Sequence, residues 1–421
     1  GLPFAIAPNF VVNDREHIVP LVVEEPSIVA GLSNAAALAR AAGGFEVESS
    51  GSMLIGQIHV TNVADADRAI AVLEKRKPAL LELANKVHPR LAARGGGARE
   101  IETRLFGLPD GRPLIAVHVL VDTCDAMGAN LVNSICEEIA PEVAAACEGD
   151  VALRILSNLA DRSLFTARAR FAVPADVRDA IVTANDIALV DPYRAATHNK
   201  GVMNGIDALA IATGNDWRAI EAGAHAYAAA GGHYQALTRW AVAENGELLG
   251  EIRLPLKVGT VGGTLASNPA AALGLALSGA SSASQLAELM AAVGLAQNFA
   301  ALRALATSGI QAGHMKLHAR SVAASAGAPD ELFDELVARL VDSGEIKDWK
   351  AREILAELQG GTGVSAAPLA LAAGKVILLG EHGVVYGRHA LALPIPGAVG
   401  VTLEESDTLA HDLPTEFVEL L

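Results

Sequence analysis

The sequence predicts an α+β protein in which a compact β-α-β-β-α-β unit is inserted into a larger, mainly helical domain. Three observations point there. Strand and helix patterns alternate in that order from Leu54 to about Ser157, and the flanking segments 1–53 and 158–310 are rich in Ala and Gly with helical periodicity. A chain of 421 residues with 51% hydrophobic content can also bury several domain cores. Against 48 Asp and Glu stand 32 Lys and Arg, a net charge of −16 with no long basic run, which argues against a protein that grips nucleic acid through its overall charge.

Within the insert, Gln57 to Val63 reads as a strand. Asp65 to about Lys86 reads as an amphipathic helix with Ile70, Leu73, Leu80, Leu81 and Leu83 on its apolar side and a kink expected at Pro78. Arg94-Gly95-Gly96-Gly97 breaks the chain, and Ile101 to Phe106 and Pro113 to Val121 form two strands across a turn at Pro109-Asp110-Gly111. Asp125 then caps a helix running to about Ala146, and Val151 to Leu156 supplies the last strand. That order is the split βαβ, ferredoxin-like arrangement, which gives a domain at 54–157. Trp217 to Ala230 and Ser284 to Leu305 have helical spacing and assign 1–53 and 158–310 to the larger domain around it. Residues 311–358 read as short polar-faced helices, with Pro329 near the start of one; 359–368 is a flexible Gly-rich linker; 369–421 is strand-like.

The longest uncharged stretch, Val258 to Ala287, is interrupted by Asn268, Pro269 and Gln285, so no membrane span is expected. Cys124, Cys136 and Cys147 show neither CxxC nor paired metal spacing, so a disulfide framework and a structural zinc are both poor readings and a reducing cytoplasmic compartment fits.

Four places can carry chemistry. The helix opening Asp125-Ala126-Met127-Gly128-Ala129-Asn130 follows a strand, and its unpaired N–H groups and small residues suit a phosphate, although a capped, tightly packed helix start explains the same spacing. No GxGxxG supports a Rossmann site. Asp191 to Gly205, followed by Thr213-Gly214-Asn215-Asp216-Trp217, sets Arg194, Lys200 and Asn204 among small residues. A buried Lys200 beside Asp216 would polarise a carbonyl oxygen, and a structural ion pair is the plain alternative. Glu24-Glu25-Pro26-Ser27 follows the apolar run Ile18 to Val23; one carboxyl there suits a general acid, while solvated turn acids are commoner. His314 and His318 stand four residues apart without HExxH, so a proton-donating or surface His314 is favoured over a metal ligand.

Taken together, Val22-Val23-Glu24-Glu25-Pro26-Ser27, the Asp125 to Asn130 helix start, Arg154 to Asp161, Asp191 to Gly205 and Gly313-His314-Met315 resemble the soluble, bacterial-type (class II) 3-hydroxy-3-methylglutaryl-coenzyme A reductases over about residues 1–358. The resemblance implies reduction of HMG-CoA to mevalonate and coenzyme A with two NAD(P)H, in the mevalonate pathway of isoprenoid biosynthesis. Lys200, Asp216, Glu25 and His314 would be catalytic: an electrophile, its orienting partner, a proton shuttle and the acid that protonates the departing thiolate. Ser27, Arg194 and Asn204 would bind substrate. Asp125, Met127, Gly128 and Asn130 would bind the dinucleotide, with Asn158 near the nicotinamide and no metal involved. The insert would be the cofactor domain and 311–358 a closing flap. The active site would lie at the interface of a homodimer, alone or within a larger oligomer of dimers, with no nucleic acid or membrane as partner.

The sequence departs from the family pattern in three ways. NADH-preferring relatives carry an acid where His88 stands, and with Lys86, Arg90 and Arg94 nearby the loop leans to NADPH, with NADH open. The family pattern extends further at the front, with a Glu-Asn-Val-Ile-Gly segment, so the first part of the large domain is expected to lack its N-terminus. Ala373 to Gly387 resembles the opening of mevalonate kinase, of the GHMP kinase superfamily. Residues 369–421 would be a truncated start, inactive as a kinase, in a fusion fragment. A mevalonate-oxidising catabolic enzyme and a non-catalytic coenzyme A or nucleotide-binding module remain the alternatives.

Overall fold

Two neighbouring strands open the chain: Phe4–Val12 (β1) and Arg15–Val22 (β2) pair antiparallel across Asn13-Asp14, both in the left-handed conformation (φ 49° and 62°) that short polar residues tolerate in tight hairpins. This computed structural model describes residues 2–262, 267–307, 318–320 and 322–359 in full, and 369–379 and 391–402 as backbone. It divides into two units, Gly1–Leu317 and His318–Leu421.

In the first unit, β1 and β2 belong to a six-stranded sheet of order β2-β1-β3-β8-β10-β9, with β3 Phe45–Ser49, β8 Leu164–Phe171, β9 Thr238–Val242 and β10 Leu248–Pro255. All its pairs are antiparallel except β1 with β3. The larger domain is helix-rich but also holds this sheet, which the mainly helical reading of the sequence does not include. Two of its strands, β3 and β9, span only five residues, and Ala-rich helices with stronger periodicity outweigh the strand signal of the rest.

Those helices are α1 Pro26–Ala41, α5 Ala175–Val190, α6 Pro192–Ala212, α7 Trp217–Ala228, α8 Pro269–Ser278 and α9 Ala283–Ala306. Among the described residues α9 alone is long and apolar enough to cross a membrane, but two thirds of its most apolar window (67%) is buried inside the protein. Small residues let it pack closely: a Cβ on Gly205 of α6 would lie 2.9 Å from Val293, and one on Gly294 would lie 2.8 Å from Ile206.

Between β3 and β8 the chain forms a second, four-stranded antiparallel sheet of order β5-β6-β4-β7: β4 Met53–Thr61, β5 Gly97–Gly107, β6 Pro113–Asp122 and β7 Asp150–Ser157. Helices α2 Ala66–Val87, α3 Pro89–Ala93 and α4 Ala129–Cys147 accompany it. Its core joins Leu54, Ile58, Leu73, Leu80, Val117, Val119, Val132, Ile135 and Ile139. Cys136 and Cys147 are buried in it, and burial pushes their thiols up to about 12 and about 11.

Asp125 does not cap α4. The helix begins four residues later at Ala129, with Gly128 in the left-handed region (φ 93°) at its N-cap, because Thr123 Oγ1 donates to Ala126 O at 2.6 Å and winds the chain into a loop first. In the second unit α10, Asp330–Ser343, and α11, Asp348–Leu358, share a small core of Leu336, Leu340, Ala351 and Ile354. Strands β11, Leu369–Leu379, and β12, Leu391–Thr402, pair antiparallel.

Candidate active site

Helix α6 carries one polar stripe. Asp191 accepts from Tyr193 N at 2.9 Å and Pro192 sits in the first turn, a start that suits both residues. From there Lys200, Asn204, Asp207 and Ile211 recur at helical spacing on one face, and all four line a cavity of about 190 Å³. Glu24 and Glu25, at the β2–α1 turn, and Trp217 line the same cavity. Glu25 is the N-cap residue of α1, in extended conformation, and its carboxylate accepts a hydrogen bond from Ser27 Oγ.

Lys200 is exposed rather than buried, and among the described residues its ammonium forms no ion pair. The expected Lys200–Asp216 pair is therefore not formed. Asp216 spends one carboxylate oxygen as the N-cap of α7, accepting from Ala219 N at 3.1 Å, and Arg218 lies 3.6 Å away. Arg194 is half-buried and, among the described residues, has no carboxylate partner; burial lowers its proton affinity.

Asp216 faces a second cavity, of about 440 Å³, whose other walls are Met127, Gly128, Ala129, Asn130 and Leu131 at the start of α4, with Gly214, Asn215, Gly259, Val261 and Gly262. The α4 terminus has no side-chain cap, so its first-turn N–H groups face a concave space without a carboxylate or hydroxyl of their own. The strand-like segment after β10 closes this cavity. Gly259 N donates to Asn215 Oδ1 at 2.8 Å, Thr260 N donates to Asp125 O at 2.9 Å, and Ala126 bridges Val261. A Cβ on Gly259 would come within 2.5 Å of Met127 N, so only glycine allows this approach.

Asp216 and Trp217, consecutive at the start of α7, thus belong to adjoining cavities. Asn158 and Met127 meet α7 at a narrow seam, where a Cβ on Gly223 would press on Asn158 O at 2.7 Å. Three expected residues lie elsewhere. Asp125 Oδ1 accepts from Ala283 N at 2.9 Å, so it serves the start of α9. His88 joins α2 to α3, and its buried Nε2 has no partner among the described residues. His314 lies outside the described residues.

Two groups escape a reading of the sequence. Asp207 lines the Lys200 cavity, and burial followed by the facing Glu221 carboxyl pushes it up to about 9. The seven-residue step from Lys200 was the signal that could have found it. Lys257 is 8% exposed, and nothing in its strand-like surroundings marks it in the sequence. No cluster of three or more potential metal ligands occurs among the described residues.

Comparison with known proteins identifies the family. The sequence model of the hydroxymethylglutaryl-coenzyme A reductase family matches residues 1–319. The 3-hydroxy-3-methylglutaryl-coenzyme A reductase of Archaeoglobus fulgidus is 48% identical over 362 residues, covering 85% of this chain and 83% of the relative. A probable reductase of the same kind from Borreliella burgdorferi is 36% identical over 335 residues, 76% and 75% of the two chains. Among solved structures, the Streptococcus pneumoniae enzyme aligns with a TM-score of 0.72 at 43% identity, over 85% of this chain and 87% of its own. A structure described as the class II reductase of the same organism bound to NADPH, in open conformations, aligns with a TM-score of 0.71 at 43% identity, over 85% of this chain and 89% of its own. With the family model and relatives of this identity covering most of its length, the chain belongs to the class II hydroxymethylglutaryl-coenzyme A reductase family.

Proposed function

We propose that the chain reduces 3-hydroxy-3-methylglutaryl-coenzyme A to mevalonate and free coenzyme A with two equivalents of NAD(P)H, in the mevalonate pathway. One observation carries the reading: the cavity holding Glu25, Lys200, Asn204 and Asp207 adjoins, through Asp216 and Trp217, the cavity at the open start of α4. An acid-and-amine site beside a phosphate-suited helix terminus is what thioester reduction by a dinucleotide requires.

The exposed ammonium of Lys200 is free to meet a thioester oxygen and stabilise the alkoxide that develops there. Glu25, held by Ser27, supplies a proton to the aldehyde oxygen. Asp216 orients the amine once substrate draws Lys200 inward. Arg194, half-buried and without a carboxylate partner among the described residues, binds the terminal carboxylate of the substrate, with Asn204 beside the reacting centre. His314, by resemblance alone, protonates the departing thiolate.

The residues present fit a dinucleotide. Gly128 and Gly259 keep the cavity open to backbone approach, and Met127, Gly128 and Asn130 hold the phosphates and ribose, with Asn158 toward the ring. When bound, reduced nicotinamide supplies the hydrides. Lys86 is paired with Glu82 at 2.7 Å, which leaves Arg90 and His88 for a 2′-phosphate, and we favour NADPH, the cofactor bound in the Streptococcus pneumoniae relative.

The four-stranded insert, in its split βαβ order, is assigned as the ferredoxin-like cofactor domain at 54–157, within a substrate domain at 1–53 and 158–310, with 311–358 as a flap. A cytoplasmic homodimer fits the exposed Leu2, Phe4, Ile6 and Ile18 along β1 and β2, since Leu2 also lines the Lys200 cavity. Residues 369–421, with β11 and β12 paired, are assigned to a mevalonate-kinase-like opening after the linker 359–368, and given no phosphotransfer role.

Loss of reduced-nicotinamide absorbance on adding HMG-CoA, with mevalonate detected as product, tests this. Oxidation of mevalonate far outrunning reduction would reassign the chain to catabolism. Dinucleotide binding without turnover in either direction would reduce it to a binding module.

A further inference from the structure

The reaction assigned above takes up protons as well as hydrides: HMG-CoA, two NAD(P)H and two H⁺ give mevalonate, coenzyme A as its thiol and two NAD(P)⁺. Each proton must reach a cavity walled by α6, α7 and the β2–α1 turn. A chain of titratable side chains runs outward from that cavity. Asp207 lines it, and the Asp207 carboxyl faces Glu221 on α7 closely enough for one proton to serve both. Glu221 Oε2 lies 2.6 Å from His225 Nε2, one helical turn further along α7, and His225 Nδ1 lies 2.7 Å from the Tyr234 hydroxyl. The His225 side chain is 36% exposed and that of Glu221 27%, so the outer end meets water while the inner end meets the site.

We propose that His225, Glu221 and Asp207 form a proton relay that carries protons from solvent to the thioester-reducing cavity, with Tyr234 as the positioning residue for the imidazole. The inference rests on the functional reading above and adds to it the route by which protons arrive.

Each handover balances. Solvent converts imidazole to imidazolium; the Nε2 proton passes to a Glu221 carboxylate, leaving neutral imidazole and a carboxylic acid; the proton shared with Asp207 then moves to the substrate side. Nδ1 keeps its proton in the imidazolium and in the neutral ring left when Nε2 hands its proton on, so the Tyr234 hydroxyl accepts from Nδ1–H and holds the ring in both states. The groups facing Asp207 are Glu221 from α7, Lys200 and Asn204 from its own helix, and Glu24 and Glu25 from the β2–α1 turn. Burial and the Glu221 carboxyl keep Asp207 protonated through neutral pH, as an inner proton donor must be. One carboxyl oxygen of Asp207, Oδ1, is buried and has no donor among the described residues, which fits a group that gives a proton rather than accepting one.

Glu221→Gln and His225→Ala, made in the full chain, test the relay through HMG-CoA-dependent NADPH oxidation across pH. Either variant is expected to lower kcat about tenfold while leaving KM for HMG-CoA and NADPH near the parent values. Glu221→Gln also moves the alkaline limb of the kcat profile to lower pH, because Asp207 loses the neighbour that helps keep it protonated. Added imidazole restores much of the rate of His225→Ala, whose site is open to water. A merely structural role would lower the melting temperature but would neither shift that limb nor allow rescue. Parent-like kcat and pH profile in both variants, or a loss that imidazole does not mend, overturns the relay while the functional reading stands. An unmutated chain without HMG-CoA-dependent oxidation overturns both.

Discussion

Lys257 donates from Nζ to the backbone carbonyl of Ser52 at 2.7 Å, tying the segment after β10 to the point where the chain enters the inserted sheet. Ser52 Oγ in turn donates to Asp122 Oδ1 at 3.3 Å, at the end of β6. The ammonium therefore sits at the crossing between the two sheets of the first unit. Burial pushes it down to about 8 from 10.5, against an opposing pull from Asp122, Cys124 and Asp125. Since the folded state gives up this proton more readily than the unfolded chain, stability rises with pH between about 8 and 10.5. Unfolding free energies of the parent protein from urea titration are expected to gain on those of Lys257→Met over that window by up to about 1.4 kcal/mol per pH unit. Parallel curves would mean that the ammonium is not desolvated.

Gly259→Ala is expected to weaken dinucleotide binding about tenfold or more, since the new methyl would collide with Met127 N and push the α4 start outward. Fluorescence titration with NADPH in the absence of HMG-CoA reads this directly. Unchanged affinity would show that the α4 start does not hold the cofactor.

Lys200→Met is expected to cut turnover by about 10²–10³-fold, the scale of losing a stabilising donor at a developing oxyanion. Because the side chain is exposed and makes no ion pair among the described residues, stability should change by no more than about 0.5 kcal/mol. A steady-state assay alongside thermal melting separates the two, and turnover within a few-fold of the parent would remove Lys200 from the reacting centre.

His198 governs the acid side of stability. It is buried, with Nε2 2.6 Å from Thr238 Oγ1 and 3.0 Å from Asn298 Nδ2, and burial together with the charge of Arg194 pushes it down to about 3. The unfolded chain binds a proton near 6.5 that the folded chain refuses, so this contribution is intact above 6.5 and is lost as pH falls toward about 3. Between pH 6.5 and 5 the parent should lose about 2 kcal/mol that His198→Asn does not lose. Equal losses would place the acid sensitivity elsewhere.

Much of this was legible in the sequence. The order of the insert is legible because aliphatic runs such as Pro113 to Val121 are punctuated by turns such as Pro109-Asp110-Gly111, whose residues suit reversal. The stripe of α6 follows from the spacing of Lys200 and Asn204. The six-stranded sheet was hidden because Phe45–Ser49 and Thr238–Val242 span five residues each, too few for alternation to stand out beside Ala-rich helices. Asp125 was misread because the sequence does not reveal that Thr123 winds the chain into a loop before the helix begins. The Asp207–Glu221 contact joins two helices and has no local signature.

Strands β3 and β8 lie side by side, with Ser49 opposite Phe165 and Ser50 N donating to Leu164 O at 2.9 Å. The polypeptide thus departs from its parent sheet and comes back at neighbouring points, as if a hairpin loop had been stretched to admit a whole extra fold. An ancestor could have acquired, exchanged or shed that guest without re-registering any strand of the host. Engineering can use the same junction, grafting a different domain between Ser50 and Leu164 or closing the gap with a tight reversal.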